Sequence, residues 1–234
     1  MVTENSILRR MALDSLKDKW GLAIGTFVIY MMLAGVLGFI PKLGPFASIF
    51  IAGPLALGIK MFSLSLSRDE EPRLEQIFDG FRNYGSALGT YLLMSLYIFL
   101  WMLLLIIPGI IASLSYSMTF FILADDPEIG ASAALDKSRK MMDGFKWKYF
   151  YLQLSFLGWA LLCILTIGIG FLWLFPYMEI SYAKFYDDVK ENYLNNPIYN
   201  PVAPVEETPH TETIINEPEV NEPTINENIN PENI

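Results

Sequence analysis

Two ionisable residues stand in long apolar stretches of the sequence. Lys60 lies in one such stretch, and Glu179 follows directly after the 30 uncharged residues 149–178. A charge at membrane depth is costly and usually marks a buried pair or a solute pathway. We therefore expect Lys60 and Glu179 to pair, or each to line a polar cavity that opens to the cytoplasm. Snorkelling of the lysine to the lipid headgroups is the alternative.

The chain lacks the residues that most catalytic sites need. The only histidine, His210, lies in a polar C-terminal segment, and the only cysteine, Cys163, lies in an apolar run. A His/Cys zinc cluster or a Cys–His nucleophile therefore cannot form in the apolar region. No glycine-rich loop ends in Lys-Ser or Lys-Thr. The sequence predicts no enzyme, no metal site and no bound cofactor.

Two adjacent carboxylates, Asp125 and Asp126, could form an acid–base or metal-binding dyad. Helix capping explains Asp126 more simply, because Pro127 fits the first position of a helix. The expected helix runs to about Asp143, and Gly144 fits just past its end.

The longest uncharged stretch determines how the elements must be arranged. Residues 83–124 contain 42 residues without a charge, and as one helix they would be about 63 Å long. The hydrocarbon core of a bilayer is only about 30 Å thick. Pro108-Gly109 lies inside the stretch, so we expect two membrane-spanning helices that fold back on each other at this pair.

The same reasoning along the chain predicts an all-α fold, a polytopic membrane bundle of six transmembrane helices with short interfacial amphipathic helices. The interfacial helices are expected at 3–19, where packing on the bundle is an equal alternative, from Pro72, and after Asp126. Residues 149–178 favour two short spans, and one tilted helix is the competing interpretation. Pro41 to Pro45 predicts the first tight turn. The predicted spans are 21–40, 46–67, 85–107, 109–123, 149–165 and 171–187.

The basic residues orient this bundle. They gather before span 1, between spans 2 and 3, between spans 4 and 5, and after span 6, whereas the opposite turns hold only Lys42. The positive-inside rule makes the basic side cytoplasmic. Both termini are then expected in the cytoplasm. A five-span arrangement would leave the C-terminal lysines outside.

The C-terminal segment differs in composition from the rest of the chain. Residues 1–190 are neutral, with 16 basic and 16 acidic residues, and residues 191–234 hold nine glutamates and no Lys or Arg, which gives the whole net charge of −9. This composition predicts a disordered acidic cytoplasmic tail. The tail is either an idle extension or a docking segment for a basic partner. The chain has no basic face for nucleic acid.

A series of motifs runs in a specific order through residues 5–190. They include Gly53-Pro54-Leu-Ala-Leu-Gly58, Phe78-Asp79-Gly80-Phe81, Leu104-Leu-Ile-Ile-Pro108-Gly109, Ile122-Leu-Ala-Asp125-Asp126-Pro127, Ala134-Leu135-x-x-Ser138 and Pro176-Tyr177. Together they resemble the uncharacterised bacterial family known as domain of unknown function 975. The resemblance implies a multi-pass protein of the bacterial inner membrane with no assigned activity. The region around Asp126 is also distantly similar to the membrane domain attached to some glycerophosphodiesterases.

These observations favour a non-enzymatic membrane module. Its expected partners are the lipid bilayer, other membrane proteins or a second copy of the chain. The alternative is a small transporter or channel component whose pathway uses Lys60 and Glu179. A water-filled route between the helices would favour transport, whereas a packed interior with an exposed helix face would favour the interaction module.

Overall fold

The computed structural model describes residues 3–38 and 44–196, with side chains described for 3–35 and 48–196. The regular structure in these ranges consists of ten helices. The predicted turn at 41–45 lies largely outside the described residues, and so do residues 197–234 of the predicted tail. The helices are α1 Asn5–Leu16, α2 Trp20–Gly38, α3 Gly44–Ser67, α4 Gln76–Asp79, α5 Tyr84–Leu104, α6 Ile106–Ser115, α7 Thr119–Asp125, α8 Ala131–Met141, α9 Lys146–Leu165 and α10 Phe171–Asn195.

Four segments of the described chain are long and apolar enough to cross a membrane. They are Ser48–Ser67 in α3, Tyr84–Leu104, Ile106–Asp125 across α6 and α7, and Lys146–Leu165. The apolar part of α2, Trp20–Gly35, is shorter. The all-helical fold is thus confirmed, and four of the six predicted spans correspond to helices of membrane length. Spans 1 and 6 stay predictions.

The chain leaves α5 and enters α6 at Leu105, three residues before the predicted turn at Pro108-Gly109. Leu105 is extended, with φ −161° and ψ 144°. Pro108 lies in the first turn of α6, where a missing N–H breaks no helical hydrogen bond. A Cβ on Gly109 would lie 2.4 Å from Cγ of Met102, so this glycine lets α6 pack closely on α5. The predicted place of the turn is wrong because the proline begins a helix here and does not end one.

The predicted span 4, one helix over 109–123, is divided in the structure. The helices α6 and α7 are separated at residues 116–118. The break leaves the carbonyl of Ser115 free to accept a hydrogen bond of 2.8 Å from the buried hydroxyl of Ser138 on α8. The serine of α8 thus satisfies a carbonyl that the end of α6 leaves open, and it ties α8 to the middle of the span.

The loop after α3 lies in backbone contact with α3 itself. A Cβ on Gly58 would lie 1.9 Å from the carbonyl oxygen of Ile77, and a Cβ on Gly80 would lie 2.0 Å from that of Pro54. Small residues permit such close approach between helices. Glycine is therefore required on both sides of this contact.

The interfacial helix predicted from Pro72 is much shorter than expected. In this part of the chain only α4, with its four residues, is helical. Ile77 is fully buried, but Phe78 and Phe81, which the sequence places on the same apolar face, are exposed. Because the glycine contacts press the backbone of this segment onto α3, only one of the three apolar side chains can point inward.

The helix predicted to begin at Asp126 and Pro127 begins later, at Ala131. Asp126 lies at the C-terminal cap of α7, with φ −135° and ψ 84°, and its carbonyl accepts a hydrogen bond of 3.2 Å from the N–H of Ile129. Residues 127–130 are not helical, so Asp126 lies four residues before the capping position of α8 and cannot cap that helix. Gly130 takes the capping position, without a side-chain hydrogen bond.

Left-handed backbone occurs after α8 and after α9. Gly144 has φ +80° in the turn beyond the end of α8. After α9, Ile167 has φ +56° and Gly168 has φ +84°, and the N–H of Gly168 donates 2.9 Å to the carbonyl of Cys163. This is a Schellman ending. It separates α9 from α10, so the single tilted helix over 149–178 is wrong.

The core is built around α10. Ile180 joins an apolar cluster with residues of α1, α2 and α3, whereas Phe185 and Tyr186 join a cluster with residues of α7, α8 and α9. The rings of Tyr186 and Phe121 stack with 5.4 Å between centroids. Because both clusters include residues of α10, this helix is packed from several sides, and residues 191–195 extend it where the sequence predicts the start of the tail.

The N-terminal helix α1 packs on the bundle, which is one of its two predicted arrangements. Leu8, Ala12 and Leu16 are fully buried. Met11, which the sequence places on the same face, is exposed. The helix therefore has a narrower buried face than its sequence pattern indicates.

Two of the membrane-length helices leave most of their apolar surface uncovered. Only 11% of Tyr84–Leu104 and 22% of Lys146–Leu165 is buried within the protein, against 56% of Ser48–Ser67 and of Ile106–Asp125. Exposed apolar surface of this extent suits contact with lipid or with another apolar partner. It includes Leu92, Leu96, Phe99, Leu100, Leu154, Leu157, Leu161 and Leu162.

Candidate functional site

The structure brings Lys60 and Glu179 together. Lys60 lies on α3 and Glu179 on α10, and Nζ is 2.5 Å from Oε2. Both side chains are largely buried, with 17% and 23% of their surface exposed. The lysine does not snorkel away from the bundle, because its ammonium group is held by the carboxylate.

An aromatic ring lies against this ion pair. The ammonium of Lys60 lies 4.7 Å from the ring centroid of Phe121, a cation–π distance. The pair is neutral as a unit, and its cation is also attracted to an aromatic face.

A second ionic network joins α3, α7 and α10. The guanidinium of Arg68 donates to Asp125 Oδ1 at 2.7 Å and to Asp187 Oδ1 at 2.6 Å. Asp125 Oδ2 also accepts from Lys190 Nζ at 2.5 Å and from the Tyr186 hydroxyl at 2.7 Å. Two cations therefore balance two carboxylates.

The planar guanidinium of Arg68 suits this position. It places separate N–H groups on two carboxylates at once, which a lysine ammonium cannot do with the same geometry. The hydrogen bond to Asp125 raises the pKa of Arg68 above its ordinary value, so the guanidinium stays charged. We conclude that the network is a permanent ionic tie between the three helices.

A third group of contacts holds the N-terminus. Asp188 on α10 accepts hydrogen bonds from the N–H and the hydroxyl of Thr3, at 2.9 and 2.7 Å, and Lys148 Nζ lies 3.1 Å from the same carboxylate. The amide of Asn5 donates to the carbonyl of Lys148 at 2.9 Å. One aspartate of α10 thus fixes α1 and the start of α9 together.

The C-terminal end of α3 is satisfied by side chains from two other helices. The carbonyl of Ser67 accepts hydrogen bonds from the ammonium of Lys184 and, at 3.3 Å, from the hydroxyl of Ser15. Beyond it, Lys19 pairs with Asp69 at 3.0 Å. A cation at a helix C-terminus is favourable, because the last carbonyls carry partial negative charge.

These contacts connect the ends of helices that the sequence places on one side. Lys19 precedes span 1, Arg68 follows span 2, Asp125 follows span 4, Lys148 begins span 5 and Asp187 ends span 6. The sequence indicates Lys60 and Glu179 because of their apolar surroundings, but it does not reveal the Arg68 network. Two features of the sequence could have indicated this network. Asp125 is the first charged residue after residues 83–124, and Asp187 and Lys190 lie on the same face of a helix.

The arrangement offers little for a metal or a cofactor. Among the described residues, no group of three or more His, Cys, Asp or Glu side chains is placed to hold a metal ion. Asp125 and Asp187 are already bound by cations. Cys163 is buried, and a Cβ on Gly170 would lie 2.7 Å from its sulfur. The surroundings of this thiol are those of a packing residue.

Two apolar crevices open at the side of the bundle. One, of about 410 Å³, lies between α2 and the start of α10 and includes Phe27, Met31 and Phe175. The other, of about 360 Å³, lies between the start of the chain and the α9–α10 turn, and includes Trp159 and Trp173. Volumes of this size suit small ligands or parts of larger ones.

One of the comparisons with known proteins gives a match. A family model described as protein of unknown function (DUF975) matches residues 1–109 and 102–193. No curated protein and no solved structure matches the chain. The likeness to the membrane domain of glycerophosphodiesterases stays a prediction. Because the two matches together cover most of the sequence, the chain belongs to the DUF975 family of proteins of unknown function.

Proposed function

We propose that this protein is a non-enzymatic, multi-pass membrane module that associates with other membrane proteins or lipids through helix faces that its own fold leaves exposed. The observation that carries the proposal is the contrast between helices of similar apolarity. Only 11% of Tyr84–Leu104 is buried, although this segment is as apolar as Ser48–Ser67, of which 56% is buried. A helix that buries so little of its surface within the protein can be covered by a partner.

The proposed arrangement has six spans with both termini in the cytoplasm of a bacterial cell. Two features support it. The Arg68 network and its neighbours connect the basic loops at one end of the bundle, and the opposite end carries exposed apolar residues such as Ile106, Ile107 and Ile167. The positive-inside rule then assigns the ionic end to the cytoplasm.

Site-specific photo-crosslinking tests the exposed face. A photoreactive residue at Phe99, which is 62% exposed on α5, is expected to form discrete adducts with a membrane protein or with lipid. The same residue at Thr90, which is fully buried on the same helix, is the matched control and is expected to react within the chain. Extraction of the protein from membranes by alkaline carbonate would contradict the proposal.

A transport role is the second candidate, and the Lys60–Glu179 pair is the observation that favours it. An ion pair inside a membrane bundle can serve as a site for a proton or a small ion. Proteoliposomes that contain the wild-type protein would then show a solute or proton flux. The variant Glu179→Gln would abolish that flux, and Asp136→Asn, which changes an exposed carboxylate on α8, would leave it unchanged.

A further inference from the structure

The crevice between α1, α9 and α10 combines an apolar wall with an opening to the side. Its volume is about 360 Å³. Trp159 and Leu162 of α9 and Trp173 of α10 are each at least half exposed, so the crevice continues into the uncovered face of α9. The remaining wall consists of Leu13, Trp20, Cys163, Thr166, Gly170, Leu174 and Tyr177. An occupant of this space must be apolar and must enter from the membrane side.

A cation stands beside the crevice on α1. Leu13 lines the wall, and Arg9 lies four residues earlier, so both side chains occupy the same side of the helix. The guanidinium of Arg9 is therefore expected within about one helical turn of the apolar space.

Among the residues that the structure describes, none is a counterion for this cation. Nε of Arg9 is buried without a hydrogen-bond partner, and Arg9 forms no ion pair with any residue that the structure describes. The neighbouring Arg10 and Lys17 likewise form no ion pair with a described carboxylate. The side chain of Arg9 is only half-buried, so an anion would meet the outer nitrogens of its guanidinium and not the buried Nε. Such an anion would balance a charge that the described residues leave without a counterion.

We propose that this crevice binds one anionic phospholipid, with the phosphate on Arg9 and one acyl chain between α1, α9 and α10. The inference rests on the proposed membrane association and specifies one of its partners. A guanidinium fits a phosphate with paired N–H donors. Trp20, at the start of α2 and in the crevice wall, stands at the end of the bundle where Arg9 lies, and tryptophan is favoured at the level where headgroup and chain meet. The charge and the apolar wall thus fit the two parts of a single lipid.

Three other crevices among the described residues lack this combination. One of about 290 Å³, which includes Phe150 and Met178, is lined by apolar residues and Gln153. The cavity between α2 and α10 is lined by apolar residues and glycine. A groove that includes Trp101 and Pro108 also contains Arg139, but this arginine already pairs with Asp136 at 2.8 Å. Of these four, only the crevice beside Trp159 adjoins a cation that has no ion-pair partner among the described residues.

Native mass spectrometry of the full chain in mild detergent tests the headgroup contact. The wild-type protein is expected to retain phosphatidylglycerol in preference to phosphatidylcholine, and Arg9→Gln to reduce that preference roughly tenfold or more, as for a lost hydrogen bond between charged groups. The matched control Arg82→Gln removes one exposed charge near α5 and is expected to have no effect. Equal losses in both variants, or equal retention of the two lipids, would overturn the proposal. Inorganic phosphate is not expected to displace the lipid. Displacement would show that the site binds only an anion, which would contradict the proposed acyl-chain contact.

Fluorescence quenching provides a measurement that does not depend on the folding of an arginine variant. In phosphatidylcholine vesicles with a small fraction of chain-brominated phosphatidylglycerol, tryptophan quenching should exceed that with the same fraction of brominated phosphatidylcholine. Trp159→Phe and Trp173→Phe should each reduce the excess and together remove it, whereas Trp147→Phe should leave it unchanged. A protein that inserts into the vesicles but shows no excess would refute the lipid site alone. A protein that fails to insert would refute the membrane association as well.

Discussion

Lys60 on α3 and Glu179 on α10 form an ion pair of 2.5 Å across 119 residues of sequence. The same two helices are joined again by Arg68 and Asp187, at 2.6 Å. These contacts join α3 to α10, which is the last helix of the described chain. The position of α10 thus depends on charge pairing as well as on apolar packing.

The variant Lys60→Met is expected to destabilise the protein by about 3–5 kcal/mol, because it leaves Glu179 charged and without its partner in a largely buried position. Unfolding in mild detergent measures this change. Replacing both residues, in Lys60→Met with Glu179→Leu, is expected to recover much of the loss. The exposed pair Lys140–Asp136 is the control, and Lys140→Met should have a far smaller effect, because water screens a surface ion pair. Equal losses for the two lysines would show that the inner pair contributes no more than a surface pair.

The variant Arg68→Lys is expected to be destabilising although it keeps the charge. An ammonium cannot reproduce the separate hydrogen bonds to Asp125 and Asp187, and one lost hydrogen bond to a charged group costs about 1.5–3 kcal/mol. The same unfolding assay should show no loss for Arg82→Lys, whose side chain is 82% exposed. A stable Arg68→Lys protein would mean that only the charge at this position matters.

Alanine substitution of two glycines should have opposite effects. Gly58→Ala places a Cβ 1.9 Å from the carbonyl oxygen of Ile77, and overpacking of this kind costs about 1–3 kcal/mol or more. Gly158 lies inside α9 with nothing within 4 Å of an added Cβ. Gly158→Ala should therefore stabilise the protein by about 0.5–1 kcal/mol. A neutral Gly58→Ala would contradict the backbone contact between α3 and the loop.

The variant Ile167→Gly is expected to stabilise the turn between α9 and α10. Ile167 has φ +56°, which costs a β-branched residue about 1–2 kcal/mol, and its side chain is 93% exposed, so little packing is lost. The greater freedom of glycine in the unfolded chain offsets part of this gain. The control Ile164→Gly, within α9, should destabilise by about 1 kcal/mol. Thermal unfolding of the two variants should shift in opposite directions.

Much of the architecture follows from the pattern of apolar and charged residues. The uncharged length of 83–124 predicts two spans, and that of 149–178 favours two over one tilted helix. The structure has α5 with α6–α7, and α9 with α10. The interruption at Thr166 to Gly170 is visible because glycines stand close together there. Lys60 and Glu179 stand out in the sequence because a charge within an apolar run is costly unless it has a partner.

Features that depend on backbone contacts are not visible in the sequence. The pair Pro108-Gly109 is typical of a turn, but it begins α6 and allows contact with Met102. Asp126 is typical of an N-terminal cap, but its carbonyl closes a turn with Ile129. The Arg68 network joins residues 57 and 119 positions apart, and no local pattern specifies which charges meet. These outcomes depend on how the helices dock, which local propensity does not determine.

Accessibility labelling tests the central claim, that the ionic ends of the helices lie on one side of a membrane. Single cysteines at Glu70, Asp143 and Glu191, in a Cys163→Ser background, should react with an impermeant reagent from the same side, and a cysteine at Ile167 should not. The predicted side is the cytoplasmic one. Labelling of Asp143 and Glu191 from opposite sides would contradict the arrangement.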